Sequence, residues 1–203
     1  MTKLGEAKIY GGIGAILMLL SLAPYAGPIL GLIGLILVFI AVNHIADETK
    51  NNKIFRDYLM NFIFQILAVV AVIVILIIAF GLSGGIEWAM NLSQQTFTDF
   101  NSVWNEFGTI FTSAIIALVL AWIFLVIGAY FLRKSYNSIA EHTKVNMFKT
   151  TGTVYFIGAI TLIILIGVLI LFVAKILEIV AYFSLPENLP VAPEIPKTEP
   201  VAS

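Results

Sequence analysis

Asn43-His44-Ile45-Ala46-Asp47-Glu48-Thr49-Lys50-Asn51-Asn52 recurs as Asn137-Ser138-Ile139-Ala140-Glu141-His142-Thr143-Lys144-Val145-Asn146. One residue is then skipped, and Phe55-Arg56 aligns with Phe148-Lys149. Seven aligned positions are identical, and Asp47/Glu141 and Arg56/Lys149 keep their charge. Each polar copy is flanked by apolar segments near or above the roughly 17–20 residues that a bilayer crossing needs. A match across a polar loop cannot come from shared apolar composition. It predicts a duplicated helix–loop–helix unit, over 43–82 and 137–176, in an all-α integral membrane protein.

Working outward, composition agrees. The 203 residues are 60% hydrophobic and only 11% charged, with a mean hydropathy of +1.02. A soluble domain is closer to about 25% charged. There is no cysteine, which excludes disulfides, thiolate metal sites and Cys nucleophiles. A net charge of −1 gives no reason to expect a nucleic-acid partner.

About five transmembrane helices are expected. Ile9–Leu22 and Ile29–Ala46 are short and separated by Ala23-Pro24-Tyr25-Ala26-Gly27-Pro28, so they form either two short spans or a re-entrant hairpin. Leu59–Leu82, Thr109–Leu132 and Gly152–Val173 are full spans, the last continuing apolar to Leu185. Residues 1–185 read as one polytopic domain. Residues 186–203, with prolines at 186, 190, 193, 196 and 200, read as an extended outer tail. Lys3 and Lys8 ahead of an apolar run also fit a signal peptide, but Ile29 onward continues as membrane segment, which favours retention.

With five spans and the amino terminus inside, nine of eleven basic residues fall on the inner face, all but Lys175 and Lys197. The loop 83–108 has no Lys or Arg. That asymmetry predicts a cytoplasmic amino terminus, both repeat loops inside, and an outer carboxyl terminus, in the cell membrane. Asn91-Leu92-Ser93 then forms an outer glycosylation triplet.

Candidate functional residues are few. Asp47 with Lys50 and Glu141 with Lys144 are three apart on a helix face, and Asn43 and Asn137 match near the inner ends. They read as the fittings of a helical hairpin, or as an inner-face site formed by Asn43, Asp47, Lys50, Asn137, Glu141 and Lys144 around a pseudo-twofold axis. His44, Asp47, Glu48, Glu141 and His142 are metal-type ligands, but the histidines fall out of repeat register, so no metal site is expected. Phe97, Phe100, Trp104 and Phe107 share one helical face in the outer loop, as an interfacial belt or a partner contact. Asn61 and Gln65, one turn apart, suit helix–helix hydrogen bonding. No charged residue is expected at mid-depth; Lys175 and Glu178, about 24 residues into their segment, are read as snorkelling at the outer headgroups.

No nucleophile–base pair, phosphate loop or zinc helix is present in the sequence, so neither an enzyme nor a cofactor is expected. Small-residue faces (Gly11, Gly12, Gly14; Gly27, Gly31, Gly34) favour a non-catalytic scaffold or accessory subunit that associates in the bilayer with other membrane subunits or with itself. The alternative is a small-solute or lipid transporter or channel with a cavity between the repeats.

Gly11-Gly12-Ile13-Gly14, Pro24-Tyr25-Ala26-Gly27 with Leu30-Gly31-Leu32-Ile33-Gly34, and Ile127-Gly128-Ala129 leading to Ser138-Ile139-Ala140-Glu141 resemble an uncharacterised, largely archaeal membrane family, domain of unknown function 996. The resemblance covers residues 5–185. It implies a multi-pass protein of an archaeal plasma membrane and brings no activity or site residue with it.

Overall fold

Pro24, Gly27 and Pro28 stop the first apolar stretch where their backbone preferences require, and the chain folds into helices on either side. The computed structural model describes residues 2–21, 23–91 and 99–190. Its helices are α1 (Lys3–Leu20), α2 (Gly27–Glu48), α3 (Lys53–Leu82), the short α4 (Gly85–Asn91), α5 (Phe100–Thr143), α6 (Asn146–Thr161) and α7 (Ile166–Phe183). A 3₁₀ turn, Leu162–Ile164, follows α6. No strand occurs among the described residues. Five helical stretches are long and apolar enough to cross a membrane: Gly27–Glu48, Lys53–Leu82, Phe107–Thr143, Asn146–Ile164 and Ile166–Phe183. The protein is an all-α membrane protein.

Two expectations change. The segment Gly152–Val173 is not one span. The chain reverses at Leu165, which takes a left-handed backbone (φ 63°), and α7 runs back along α6. A non-glycine residue there costs about 1–2 kcal/mol, which the packing of the hairpin offsets. Gly158 and Gly167 let the two helices close tightly: a Cβ on Gly167 would stand 2.2 Å from the Gly158 carbonyl oxygen. Tyr25 (φ 68°) turns the α1–α2 hairpin in the same way, and a Cβ on Gly27 would stand 2.1 Å from the Ser21 carbonyl oxygen.

The reversal also moves the carboxyl-terminal segment. The end of α7 packs on the middle of α1, with Tyr182 against Gly11 and Phe183 against Gly12. Beyond it, Leu185 is buried, and the Thr2 hydroxyl donates to the Glu187 carbonyl. At Glu187 the chain has therefore returned to the end of the fold where Thr2 lies. The first residues of the Pro-rich tail pack at that end; 191–203 lie outside the described residues.

Around the bundle the helices neighbour one another in the order α1, α2, α3, α5, α6, α7, and α7 closes on α1. The α1–α2 crossing is tight, since a Cβ on Gly34 would lie 2.6 Å from the Gly14 carbonyl oxygen. Phe39 of α2 meets α3 by ring edges on Tyr58 and Phe62, both at 5.1 Å. Both polar loops sit at the same end as Thr2 and Glu187: Lys3 pairs with Asp47 at 2.9 Å, and the Ser135 hydroxyl donates to the Ile54 carbonyl at 2.8 Å across α5 and α3.

Heights differ. From Leu59 to Leu82, α3 rises about 35 Å at 1.5 Å per residue, and α5 covers the same from Leu132 to Thr109. From Phe39, level with Tyr58, α2 reaches its Gly27 turn in only about 18 Å. Gly152 of α6 lies against Arg133 of α5, and the tip at Leu162 stands about 15 Å higher. The Trp122 indole fixes that level, donating to the Ala159 carbonyl at 3.0 Å. Above the level of Tyr58 and Gly152, the two hairpins thus rise about half as far as the α3–α5 pair.

Candidate functional site

Reversal of the chain at Leu165 carries Glu178 of α7 back into the lower half of the bundle, where it is 2% exposed. Oε1 accepts from the Tyr136 hydroxyl (α5) at 2.6 Å. Oε2 accepts from the Tyr155 hydroxyl (α6) at 2.8 Å and from Lys175 Nζ, one turn back on α7, at 2.8 Å. Burying an isolated carboxylate costs several kcal/mol; two phenol donors and one ammonium offset it here. Tyr136 and Tyr182 hold this arrangement by edge contacts on Phe148 at 5.5 and 5.1 Å. Lys175 also lies 3.7 Å from the Met18 sulfur of α1 and 5.5 Å over the Tyr155 ring. The expectation of snorkelling at the outer headgroups is corrected: the pair is interior, because α6 and α7 are antiparallel rather than one helix.

Above the cluster opens a cavity of about 400 Å³ between α3, α5 and the tips of the hairpins. Its floor is Asn61, Gln65, Tyr155 and Lys175; its walls are apolar, among them Leu125, Leu162, Leu171 and Phe172. A smaller space of about 110 Å³ joins it to Tyr58 and Glu178. Asn61 and Gln65 are hydrogen bonded as their spacing suggests, Gln65 Nε2 donating to Asn61 Oδ1 at 3.1 Å. Leu125 and Leu162 are shared with a further apolar cavity of about 520 Å³ beside the α6–α7 tip. The hairpins end at mid-height, so this void exists where two more full-length helices would have filled it.

The inner-face set is dispersed. Asp47 pairs with Lys3 at 2.9 Å rather than with Lys50. Its hydrogen bond and negative charge raise the Lys3 amine above its usual value. Asn43, Lys50, Glu141 and Lys144 are exposed, and Asn137 is half-buried with Oδ1 lacking a hydrogen bond. Among the described residues, no hydrogen bond or ion pair joins the first three to the last three. The aligned lysines do share a backbone state, φ 52° at Lys50 and 61° at Lys144. The aligned threonines share a bond as well, Thr49 to the Ile45 carbonyl at 2.7 Å and Thr143 to that of Ile139 at 2.8 Å. Beyond the loops the two units diverge, since α3 is unbroken to Leu82 while its counterpart turns after Thr161.

On the far arm, exposed Phe100 and Trp104 stack at 6.1 Å, and Phe107 meets Phe111 at 6.1 Å. Phe97 lies outside the described residues, as does most of the glycosylation triplet. His44 Nδ1 stands 3.3 Å from Glu6, and His142 Nδ1 is 2.7 Å from the Ser138 carbonyl oxygen. Sequence reasoning missed the four tyrosines and Asp57, a buried carboxylate 3.8 Å from both Arg56 and Lys134. Its signal was present: an ionisable residue in a membrane segment is by default an interior group.

Residues 30–176 match the model of the family described as Protein of unknown function (DUF996), and the chain belongs to that family. An uncharacterized protein of Methanocaldococcus jannaschii is 38% identical over 188 residues, 92% of this chain and 96% of that protein. No solved structure matches the chain.

Proposed function

We propose that this family member handles a small lipidic molecule inside the membrane, holding it in the cavity between the α3–α5 pair and the two half-height hairpins. The cavity of about 400 Å³ with a polar floor carries the reading. Its size falls within the roughly 300–1,000 Å³ of small-molecule sites, which are likewise mostly apolar with a few placed polar groups. The small-residue faces that favoured association are used within the chain, Gly14 on Gly34 and Gly11 on Tyr182. Association with another membrane subunit or a second copy is the alternative, supported by the exposed, stacked Phe100 and Trp104. In both readings the protein is non-catalytic and its setting is the lipid bilayer of the cell membrane. The inner-face basic residues favour a cytoplasmic base, which brings both ends of the fold inside. The close agreement of the Lys50 and Lys144 turns supports a common origin of the two loop units.

The test is direct. Protein purified in a mild, short-chain detergent is extracted with organic solvent and the extract read by mass spectrometry. Wild type should retain about one molecule of an apolar compound per chain, and Val168→Trp, at the cavity wall, should lose most of it. Wild-type protein that retains nothing would sink the reading.

A further inference from the structure

The donor set on the cavity floor selects the class of molecule. Glu178 has its charge met by two phenols and one ammonium. Lys175 spends one of its three N–H donors on that carboxylate and, among the described residues, otherwise meets the Met18 sulfur, a weak acceptor, and the face of the Tyr155 ring. With 24% of its side chain exposed, and as a lining residue of the cavity, it keeps donor capacity facing the void. The pair is neutral overall. An anionic head would therefore leave a net negative charge in a low-dielectric space, which is costly. A cationic head would face an ammonium. An uncharged head with an accepting oxygen meets neither penalty. The remainder of the space is hydrocarbon-walled, and through Leu125 and Leu162 it continues toward the second apolar cavity.

We infer that Lys175, with Gln65 beside it, anchors the oxygen of an uncharged lipid, a carbonyl or hydroxyl on a hydrocarbon chain that runs up between α5 and the α6–α7 tip. This rests on the cavity reading above and narrows it to one head-group class. Gln65 is suited to the second contact because it is exposed to the cavity and already oriented by Asn61.

The test uses full-length protein in lipid nanodiscs and three photoreactive probes on the same twelve-carbon chain: a methyl ketone, a carboxylate and a trimethylammonium. Adducts are mapped by mass spectrometry. The ketone should label Leu125, Leu171 or Phe172 saturably, with apparent affinity at least tenfold above the other two. The charge-neutral double variant Lys175→Met/Glu178→Gln should lower that affinity about tenfold. Gln65→Leu, which removes an exposed amide and its one bond to Asn61, should lower it about threefold, so the anchor remains testable if the double variant does not fold. Equal labelling by all three probes, or preference for the carboxylate, overturns the head-group assignment while the cavity reading stands. Labelling of the wall by none of them overturns both. Unchanged affinity in the folded double variant and in Gln65→Leu overturns the anchor.

Discussion

Glu178→Gln is the most informative single perturbation, because it removes charge and almost no volume. In the wild type the carboxylate satisfies two hydroxyls and an ammonium at 2.6–2.8 Å while 2% exposed. The amide keeps one accepting oxygen, turns its N–H₂ toward a phenol that must then reverse its hydroxyl and an ammonium that cannot accept, and leaves Lys175 without its counter-charge. Breaking a buried ion pair by removing one partner costs about 3–5 kcal/mol. Since Lys175 is partly exposed to the cavity, the lower end, about 3 kcal/mol, is expected, close to a hundredfold in the unfolding equilibrium. Tyr136→Phe and Tyr155→Phe should cost less. Interhelical bonds in membrane proteins average about 0.6 kcal/mol and reach about 1.7; an ionised acceptor puts these two near the top, about 1.5 kcal/mol each. Tyr25→Phe, at a side chain 99% exposed, should cost nothing measurable. Lys175→Met/Glu178→Gln should be more stable than Glu178→Gln alone, because it removes the ammonium that the single variant leaves without a counter-charge and keeps the amide oxygen as an acceptor. Reversible unfolding in mixed micelles with rising dodecyl sulfate, followed by circular dichroism, gives these differences. If Glu178→Gln costs less than 1 kcal/mol, or the double variant is the worse of the two, Glu178 is not the buried, paired carboxylate described here.

Glycine substitution separates packing from propensity: Gly34→Ala would place a Cβ 2.6 Å from the Gly14 carbonyl oxygen and 2.8 Å from the Met18 nitrogen. Overpacking of that kind costs about 1–3 kcal/mol. At Gly81 a Cβ meets nothing within 4 Å, so Gly81→Ala should be neutral or stabilising by about 0.5–1 kcal/mol; the same unfolding assay ranks the two. Because the chain has no native cysteine, topology is tested by single cysteines at Asn51, Val145, Asn188 and Met90. In intact cells a membrane-impermeant maleimide should label only Met90→Cys, and all four after permeabilisation. Labelling of Asn188→Cys together with Met90→Cys would show that α7 does not return.

What could be read from the residues, and what could not, follows from where polar chemistry punctuates the chain. The Asn43 and Asn137 motifs located two loops at one end because their polar residues have no alternative to the water-facing ends of helices. Pro24, Gly27 and Pro28 located the first turn for backbone reasons. At the second turn the residues are Leu162-Ile163-Ile164-Leu165, with no proline, glycine or polar side chain among them. Local propensity there favours a continuous helix, and long-range partners override it. The misplacement of Lys175 and Glu178 followed directly, since depth was counted along a straight helix. Once α6 turns, depth decreases with residue number and the same count puts the pair inside. The clue lay in composition at a distance. Tyr58, Tyr136, Tyr155 and Tyr182 are spread over four apolar helices, and buried phenols need partners. Glu178 is the acceptor for two of them, Tyr136 and Tyr155, and a straight last helix would have kept it away from both. The hairpin is therefore the consequence of Glu178 and its tyrosines, and the half-height cavity above them is the consequence of the hairpin.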